Sequence, residues 1–220
     1  MSRIILIAMA LAVTVAGCNR FPDNGLQITA NLLPDSNCFV QGDQDERLLR
    51  GLYDTSFRDV EGNASNYIIA LQLASYLVND NALEFQAVQN NIQVDNYDIT
   101  LLLPDGSKPE LPAGLVNPYR VTTSAAIQAT TAGSDPTQDV GVAIGIPGSY
   151  QQALIDLGVP SVLLDIRAGG TTRGGFSQRS APFRWPVDLC SGCLQNCADQ
   201  TALDESCLPG QDVWPYCFAP

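Results

Sequence analysis

The chain has 220 residues, of which 23 are acidic, 11 are basic and none is histidine. The formal charge of -12 argues against binding to nucleic acid, because such binding requires basic residues that neutralise phosphates. The lack of histidine excludes hydrolases that use a Ser–His or Cys–His pair, and also the usual histidine-bearing zinc and copper sites.

Residues 1–17 have the pattern of an export signal. One positive charge, Arg3, precedes an apolar run at residues 4–15, which has the length of a signal-peptide core and is too short to span a bilayer comfortably. The run leads into Val15-Ala16-Gly17-Cys18, and these residues resemble the lipobox of bacterial lipoproteins. The resemblance implies cleavage before Cys18 and attachment of diacylglycerol to its thiol. The alternative is an ordinary secretory signal that happens to contain a cysteine.

Lipidation of Cys18 implies a location in the cell envelope. Each buried methylene contributes about 0.8 kcal/mol, so several acyl chains hold a protein stably at a membrane surface. In lipobox families an aspartate after the cysteine often signals retention in the inner membrane, whereas Asn19 and Arg20 follow it here. We therefore expect attachment to an outer membrane, with residues 18–25 as a lipidated tether and the domain in the periplasm or at the cell surface.

The cysteine count supports the lipobox independently. Assigning Cys18 to the lipid leaves six of the 7 cysteines, and an even number pairs fully in an oxidising compartment. Only Cys38 lies far from the tail at residues 190–220, so full pairing requires a bond from Cys38 to a tail cysteine across roughly 150 residues or more. The connectivity is otherwise open. The cysteines predicted to form disulfides are Cys38, Cys190, Cys193, Cys197, Cys207 and Cys217.

Residues 26–189 are predicted to form an all-β domain. Residues 66–79 alternate apolar with other side chains, which is the period of a half-buried strand. A second run, at residues 92–103, stops at the turn sequence Pro104-Asp105-Gly106-Ser107. Further strands are predicted at residues 119–131, 140–146, 162–168 and 175–189, the last two joined by a glycine-rich turn at residues 169–174.

One short helix is predicted at residues 149–157. Ala153 and Leu154 would share the apolar face of such a helix. Ser149 is placed to cap its first turn, and Gly158 is placed to end it.

These elements are typical of an antiparallel β-sandwich, since they combine several strands, short turns and one brief helix. The sequence from Gly175-Phe176 through Ser180-Ala181-Pro182-Phe183-Arg184-Trp185-Pro186-Val187 resembles the last strand of an immunoglobulin-like or fibronectin-like sandwich. Its two prolines favour an edge strand or a bulge. The cysteine-rich residues 190–220 are expected to form a disulfide-stapled appendage that packs against the sandwich.

The Cys190-Ser191-Gly192-Cys193 motif, followed by Cys197, has a spacing that also occurs in zinc sites, iron–sulfur sites and redox pairs. Oxidation of cysteines in an exported protein favours disulfides over these alternatives. We therefore predict neither a metal nor a cofactor.

Two groups of carboxylates are candidates for ion binding or catalysis. Asp43, Asp45 and Glu46 form one group, and Asp95 and Asp98 form the other. Either group could bind calcium or provide a glycosidase pair, although acidic loops are usually solvated.

Three aromatic residues near the C-terminal end could form an exposed ligand-binding patch. They are Trp185, Trp214 and Tyr216, and packing in the interior is the favoured interpretation. Lys108 is the single lysine, and its position beside a proline in a turn predicts that it is solvated.

These observations predict a non-enzymatic envelope lipoprotein whose sandwich is a structural or protein-interaction module. Its partners would be membrane lipid, through the acylated Cys18, and other envelope proteins, through edge strands or loops. An alternative is a lipoprotein that binds a small molecule or a glycan. A histidine-free hydrolase that uses two carboxylates is a less favoured third interpretation.

Overall fold

A computed structural model of the chain describes residues 25–35, 37–42, 47–59, 61–79, 89–194, 207–208 and 210–212. The export signal and most of the tether precede these residues, so the structure leaves those predictions untested. The other positions named above that lie outside the described residues are Asp43, Asp45, Glu46, Cys197, Trp214, Tyr216 and Cys217.

The described elements are strands, with one short helical segment between two of them. A 3-10 turn, Gly148–Tyr150, leads directly into the helix α1, Gln151–Leu157. The strands are, in chain order, β1 (Leu26–Leu32), β2 (Arg47–Leu48), β3 (Gly51–Asp54), β4 (Tyr67–Ser75), β5 (Val78–Asn79), β6 (Ile92–Leu102), β7 (Tyr119–Ile127), β8 (Thr130–Thr131), β9 (Thr137–Ile146), β10 (Ser161–Thr172), β11 (Ser177–Arg179) and β12 (Phe183–Cys190).

Two sheets form the predicted β-sandwich. The smaller sheet has the order β2-β1-β4-β9, and the larger has the order β3-β12-β10-β6-β7, with β11 paired to β10. If β1, β4 and β9 are strands A, B and E, and β12, β10 and β6 are G, F and C, both orders are those of an immunoglobulin sandwich. β7 then occupies the position beside strand C. The pairings are antiparallel except for β3 with β12 and β5 with β8.

Alternating side chains place the core between the sheets and a polar surface outside. In β6, Tyr97, Ile99 and Leu101 are buried while the residues between them are partly exposed. The same alternation buries Val162 and Ile166 in β10. Burial of this apolar area is the main favourable contribution to folding. The intervening positions carry charged side chains, among them Asp98 in β6 and Asp165 and Arg167 in β10.

The predicted glycine-rich turn at residues 169–174 is wrong in its first half. β10 continues through Gly169 and Gly170 to Thr172, with a register shift against β6 between the two glycines. A Cβ atom on Gly170 would lie 2.4 Å from the carbonyl oxygen of Gln93. Glycine here permits close approach of two strands at a bulge, whereas the run of glycines in the sequence is typical of a loop.

The predicted last strand, residues 175–189, is divided into β11 and β12. Between them, the hydroxyl of Ser180 accepts a hydrogen bond from the backbone N–H of Ala168 at 2.9 Å and so continues the pairing with a side chain. Pro186 precedes the residues of β12 that pair with β3, so the proline lies where β12 has only β10 as a neighbour. The placement of Pro186 agrees with the expected edge, whereas Pro182 lies between β11 and β12 and belongs to neither strand.

The helix forms where it is predicted, but Ser149 makes no capping hydrogen bond. The 3-10 turn begins one residue earlier, and the side chain of Asn66 accepts from the N–H of Gly148 at 2.8 Å. Gly158 ends α1 in the left-handed conformation, with φ of 61°, as predicted. Among the described residues, no helix has both the length and the apolar character needed to cross a membrane.

The described part of the C-terminal tail is joined to the sandwich by disulfides and backbone hydrogen bonds. Cys38 bonds to Cys207, and Cys190 bonds to Cys193, so Cys38 reaches the tail as predicted. The N–H of Asp54 donates to the carbonyl of Gly210 at 2.9 Å. The tail therefore covers the outer edge of β3, a strand that the sequence patterns did not predict.

Candidate functional site

The outer surface of the larger sheet carries a cluster of charged side chains that we call the arginine face. Strand alternation directs these side chains to solvent because the residues between them fill the core. Strand register brings them together, since Asp98 on β6 is opposite both Arg120 on β7 and Arg167 on β10. The arginine face consists of Asp98, Arg120, Asp165, Arg167, Arg179 and Arg184.

Asp98 is the centre of the cluster and binds two arginines. Arg120 donates from Nε to Asp98 Oδ1 at 2.7 Å and from Nη2 to Oδ2 at 3.1 Å, which is a bidentate pair. Arg179, on β11, donates from Nη2 to Oδ2 at 2.6 Å. The hydrogen bond from Arg120 is the main cause that holds the pKa of Asp98 below its ordinary value. Asp98 is therefore an ionised carboxylate that positions two guanidinium groups.

Arg167 differs from the other arginines of this face. Among the described residues it has no hydrogen bond or ion pair to its side chain, although its charge contributes to the low pKa of Asp98. Arg184 lies near Asp165, with 3.8 Å between Nε and Oδ2. The guanidinium group of Arg167 thus retains all of its donors for another partner.

Two adjoining clefts open on the arginine face. One has a volume of about 370 Å³ and is lined by Asp98, Arg120, Arg167 and Arg179, with Thr100, Pro118, Tyr119 and Asp165 around them. The other, of about 460 Å³, shares Asp98, Arg120 and Arg179 and extends along Gly169, Gly170 and Thr171 of β10 and Ser177 and Gln178 of β11. Both clefts are open to solvent over much of their surface, so a ligand would contact their charged side chains without being enclosed.

The carboxylates Asp95 and Asp98 both line the second cleft, but Asp98 is bound by two arginines. A general acid in a glycosidase pair requires a raised pKa, whereas the pKa of Asp98 is lowered by its arginines. Asp95 is exposed on the same strand. The structure therefore assigns Asp98 an electrostatic role in holding the arginines.

The Cys190-Ser191-Gly192-Cys193 loop closes over a buried carboxylate. Asp54 is fully buried, and its oxygens accept from the N–H groups of Gly192 at 2.9 Å and Leu194 at 3.0 Å. The carboxylate and the two sulfur atoms lie within 4.8 Å of one another, which is a distance compatible with a metal site. Here the sulfurs are bonded to each other, and the carboxylate of Asp54 holds the loop by accepting from the loop's backbone N–H groups.

Trp185 belongs to the core, as the favoured interpretation predicted. Its side chain is 3% exposed, and its Nε1–H donates to the Tyr67 hydroxyl at 3.0 Å. Tyr67 in turn donates to Asp212 Oδ1 at 3.2 Å. Lys108 is exposed, in agreement with its predicted solvation.

The long edges of the sheets make hydrogen bonds within the molecule. Side-chain hydroxyls of Tyr97 and Thr123 donate to the carbonyls of Gly141 and Val142 on β9, at 3.1 and 3.0 Å. The described tail residues cover the edge of β3. Strand addition by a partner therefore has less open backbone to use than the strand count alone would indicate.

The sequence patterns did not identify the arginine face. The sequence placed Asp98, Arg120 and Arg167 in three separate predicted strands, at residues 92–103, 119–131 and 162–168. It did not show that β6 lies between β7 and β10, because strand order depends on contacts between distant segments. Comparison with known proteins finds no match: no protein-family model, no curated protein and no solved structure is significantly similar to this chain.

Proposed function

We propose that this chain is a lipid-anchored protein of the bacterial cell envelope and that its sandwich is a non-enzymatic interaction module. The pairing of its cysteines is the observation that supports the anchor. With Cys38 bonded to Cys207, and Cys190 to Cys193, the remaining cysteines are Cys18, Cys197 and Cys217. In an oxidising compartment an odd number of thiols leaves one without a disulfide partner, and we assign that place to Cys18, the cysteine of the lipobox.

The anchor is tested by replacing Cys18 with serine in cells. The variant should lose incorporation of labelled palmitate and should no longer fractionate with membranes, because the acyl acceptor is gone. The double variant Cys190→Ser/Cys193→Ser is the matched control and should keep both properties. Unchanged labelling and fractionation of the Cys18→Ser protein would contradict the proposal.

The arginine face supports the proposed interaction module. It carries four of the 11 basic residues of an acidic chain, on the outer surface of one sheet. Opposite charges steer association and set which partner binds. We therefore place the contact surface on this face, and the expected partners are other envelope proteins.

The contact surface is tested by photo-crosslinking in cells. A photoreactive residue at Thr122, exposed on β7, should crosslink to a discrete envelope protein. The same residue at Val142, exposed on β9 of the other sheet, is the control and should give no such product. Equal crosslinking from both positions would contradict a contact at the arginine face.

A second candidate function is the binding of a small molecule or a glycan. The cleft of about 370 Å³ beside Arg167, whose side chain has no partner among the described residues, is the observation that favours it. The third interpretation, a carboxylate hydrolase, has no support from Asp98, since a lowered pKa is unsuited to a general acid.

A further inference from the structure

We propose that the arginine face binds a phosphate monoester, with Arg167 as the main ligand and with Arg120 and Arg179 as supporting ligands. The proposal rests on the small-molecule binding function considered above and names its ligand class. It is independent of the lipid anchor at Cys18.

The charges of the cleft complement this ligand. Arg120, Arg167 and Arg179 provide three positive charges against the single negative charge of Asp98. Asp165 and Arg184, which lie 3.8 Å apart, offset each other. Asp95 acts on Arg120 more weakly than Asp98 does. A phosphate monoester carries about -1.5 to -2 charges at pH 7. This charge is opposite in sign and similar in size to the excess of positive charge around Asp98.

The hydrogen-bond donors also fit. Arg120 uses Nε and Nη2 to bind Asp98, which leaves Nη1 available, and Arg179 uses only Nη2. Within the described part of the chain, no group accepts from Arg167, so its complete fork of donors faces the cleft. Because Asp98 holds two of the three guanidinium groups in place, less side-chain entropy is lost when an oxyanion binds.

The wall of the cleft accommodates the remainder of the ligand. Thr100 provides a hydroxyl, and Pro118 provides an apolar surface beside the arginines. The chain as a whole is strongly acidic, with a formal charge of -12, and so repels anions elsewhere on its surface. Binding of a phosphate monoester therefore reports on this face rather than on non-specific attraction.

The test is calorimetric titration of the full chain in a neutral detergent with glucose 6-phosphate, and with glucose as the uncharged comparison. Glucose 6-phosphate should bind and glucose should not. Arg167→Gln should weaken binding about tenfold or more, because charge-assisted hydrogen bonds are lost. Arg167→Lys should recover part of that loss. Arg173→Gln removes the same charge from an exposed position outside the cleft and should leave the affinity unchanged.

Two further ligands distinguish a soluble source of the phosphate from a lipid headgroup. Short-chain phosphatidic acid should compete with glucose 6-phosphate, and the phosphatidylcholine of equal chain length should not, if the headgroup is the source. Binding of glucose 6-phosphate without competition by phosphatidic acid would assign a soluble ligand. No binding of either phosphate, or equal binding by wild type and Arg167→Gln, would overturn the proposal. If the phosphate site were overturned in this way but a protein were still crosslinked from Thr122, the proposed interaction module would stand.

Discussion

Asp212 is a partly buried residue in a chain of hydrogen bonds that joins the tail to the core. Its Oδ1 accepts from the N–H of Leu52 at 2.7 Å and from the Tyr67 hydroxyl at 3.2 Å. Burial raises the pKa of Asp212 to about 6, from an ordinary value of 3.8. The backbone of Asp212 is left-handed, with φ of 54°, a conformation in which aspartate and asparagine are enriched.

The raised pKa predicts a specific dependence of stability on pH. The folded state holds the proton more tightly than the unfolded state, so this contribution is complete below pH 3.8 and is lost as the pH rises to about 6. The loss should be about 3 kcal/mol, because each pKa unit corresponds to about 1.4 kcal/mol.

Replacement of Asp212 by asparagine should remove this dependence while keeping the oxygen that accepts from Leu52. Urea denaturation of Asp212→Asn between pH 4 and pH 7 should therefore give a flatter profile than the wild type. Asp105→Asn is the control, because Asp105 lies in an exposed turn and its pKa is lowered rather than raised. Parallel profiles for Asp212→Asn and the wild type would contradict the assignment.

The element with the most specific sequence requirement is β10. It lies in the middle of the larger sheet, between β6 and β12, and it carries two glycines in its interior. Glycine usually weakens a strand, but at Gly170 the backbone of β6 leaves no room for a Cβ. The bulge there also sets the register for the residues that follow.

Gly170→Ala should destabilise the protein by about 1–3 kcal/mol, because a Cβ would force the backbone of Gln93 to move. Gly174→Ala is the matched control, since its nearest neighbour would be 3.4 Å away, at ordinary contact distance. Thermal unfolding of the two variants should separate them clearly. A Gly170→Ala variant as stable as the control would show that the bulge relaxes without cost.

At the scale of the whole molecule, the two described disulfides close chain segments of very different length. The Cys38–Cys207 bond joins residues separated by 169 positions, whereas the Cys190–Cys193 bond spans a separation of 3. The first connects the segment between β1 and β2 to the tail, and the second closes a single loop after β12. Loop length decides how strongly a cross-link restricts the unfolded chain.

Removal of the long-range bond should therefore cost more stability. In the chain-entropy relation, Cys38→Ser/Cys207→Ser should lose about 5 kcal/mol, and Cys190→Ser/Cys193→Ser about 2 kcal/mol. Urea unfolding without reductant measures both values in otherwise identical proteins. A larger loss of stability for Cys190→Ser/Cys193→Ser would contradict this order. It would indicate that the contact of this loop with Asp54, rather than loop closure, determines how much the bond stabilises the protein.

Much of the fold was predictable from local patterns. The strand at residues 92–103 matches β6 to within one residue, and Gly158 ends the helix as expected, because alternation and a left-handed cap depend on neighbouring residues alone. β3 was missed because it is short and pairs with the distant β12 and the tail. The turn predicted at Gly170 was wrong because a bulge and a loop use the same residue.

The sequence by itself determined the lack of histidine chemistry, the acidic charge and the alternation that builds a sandwich. It also determined that Cys38 must reach the tail if all its cysteines except Cys18 are paired. Only the tertiary structure decided that Cys207 is the partner and that Arg120 and Arg167 flank Asp98. The physical reason is that local patterns set which way a side chain faces, whereas the order of strands is set by contacts between residues far apart in the chain.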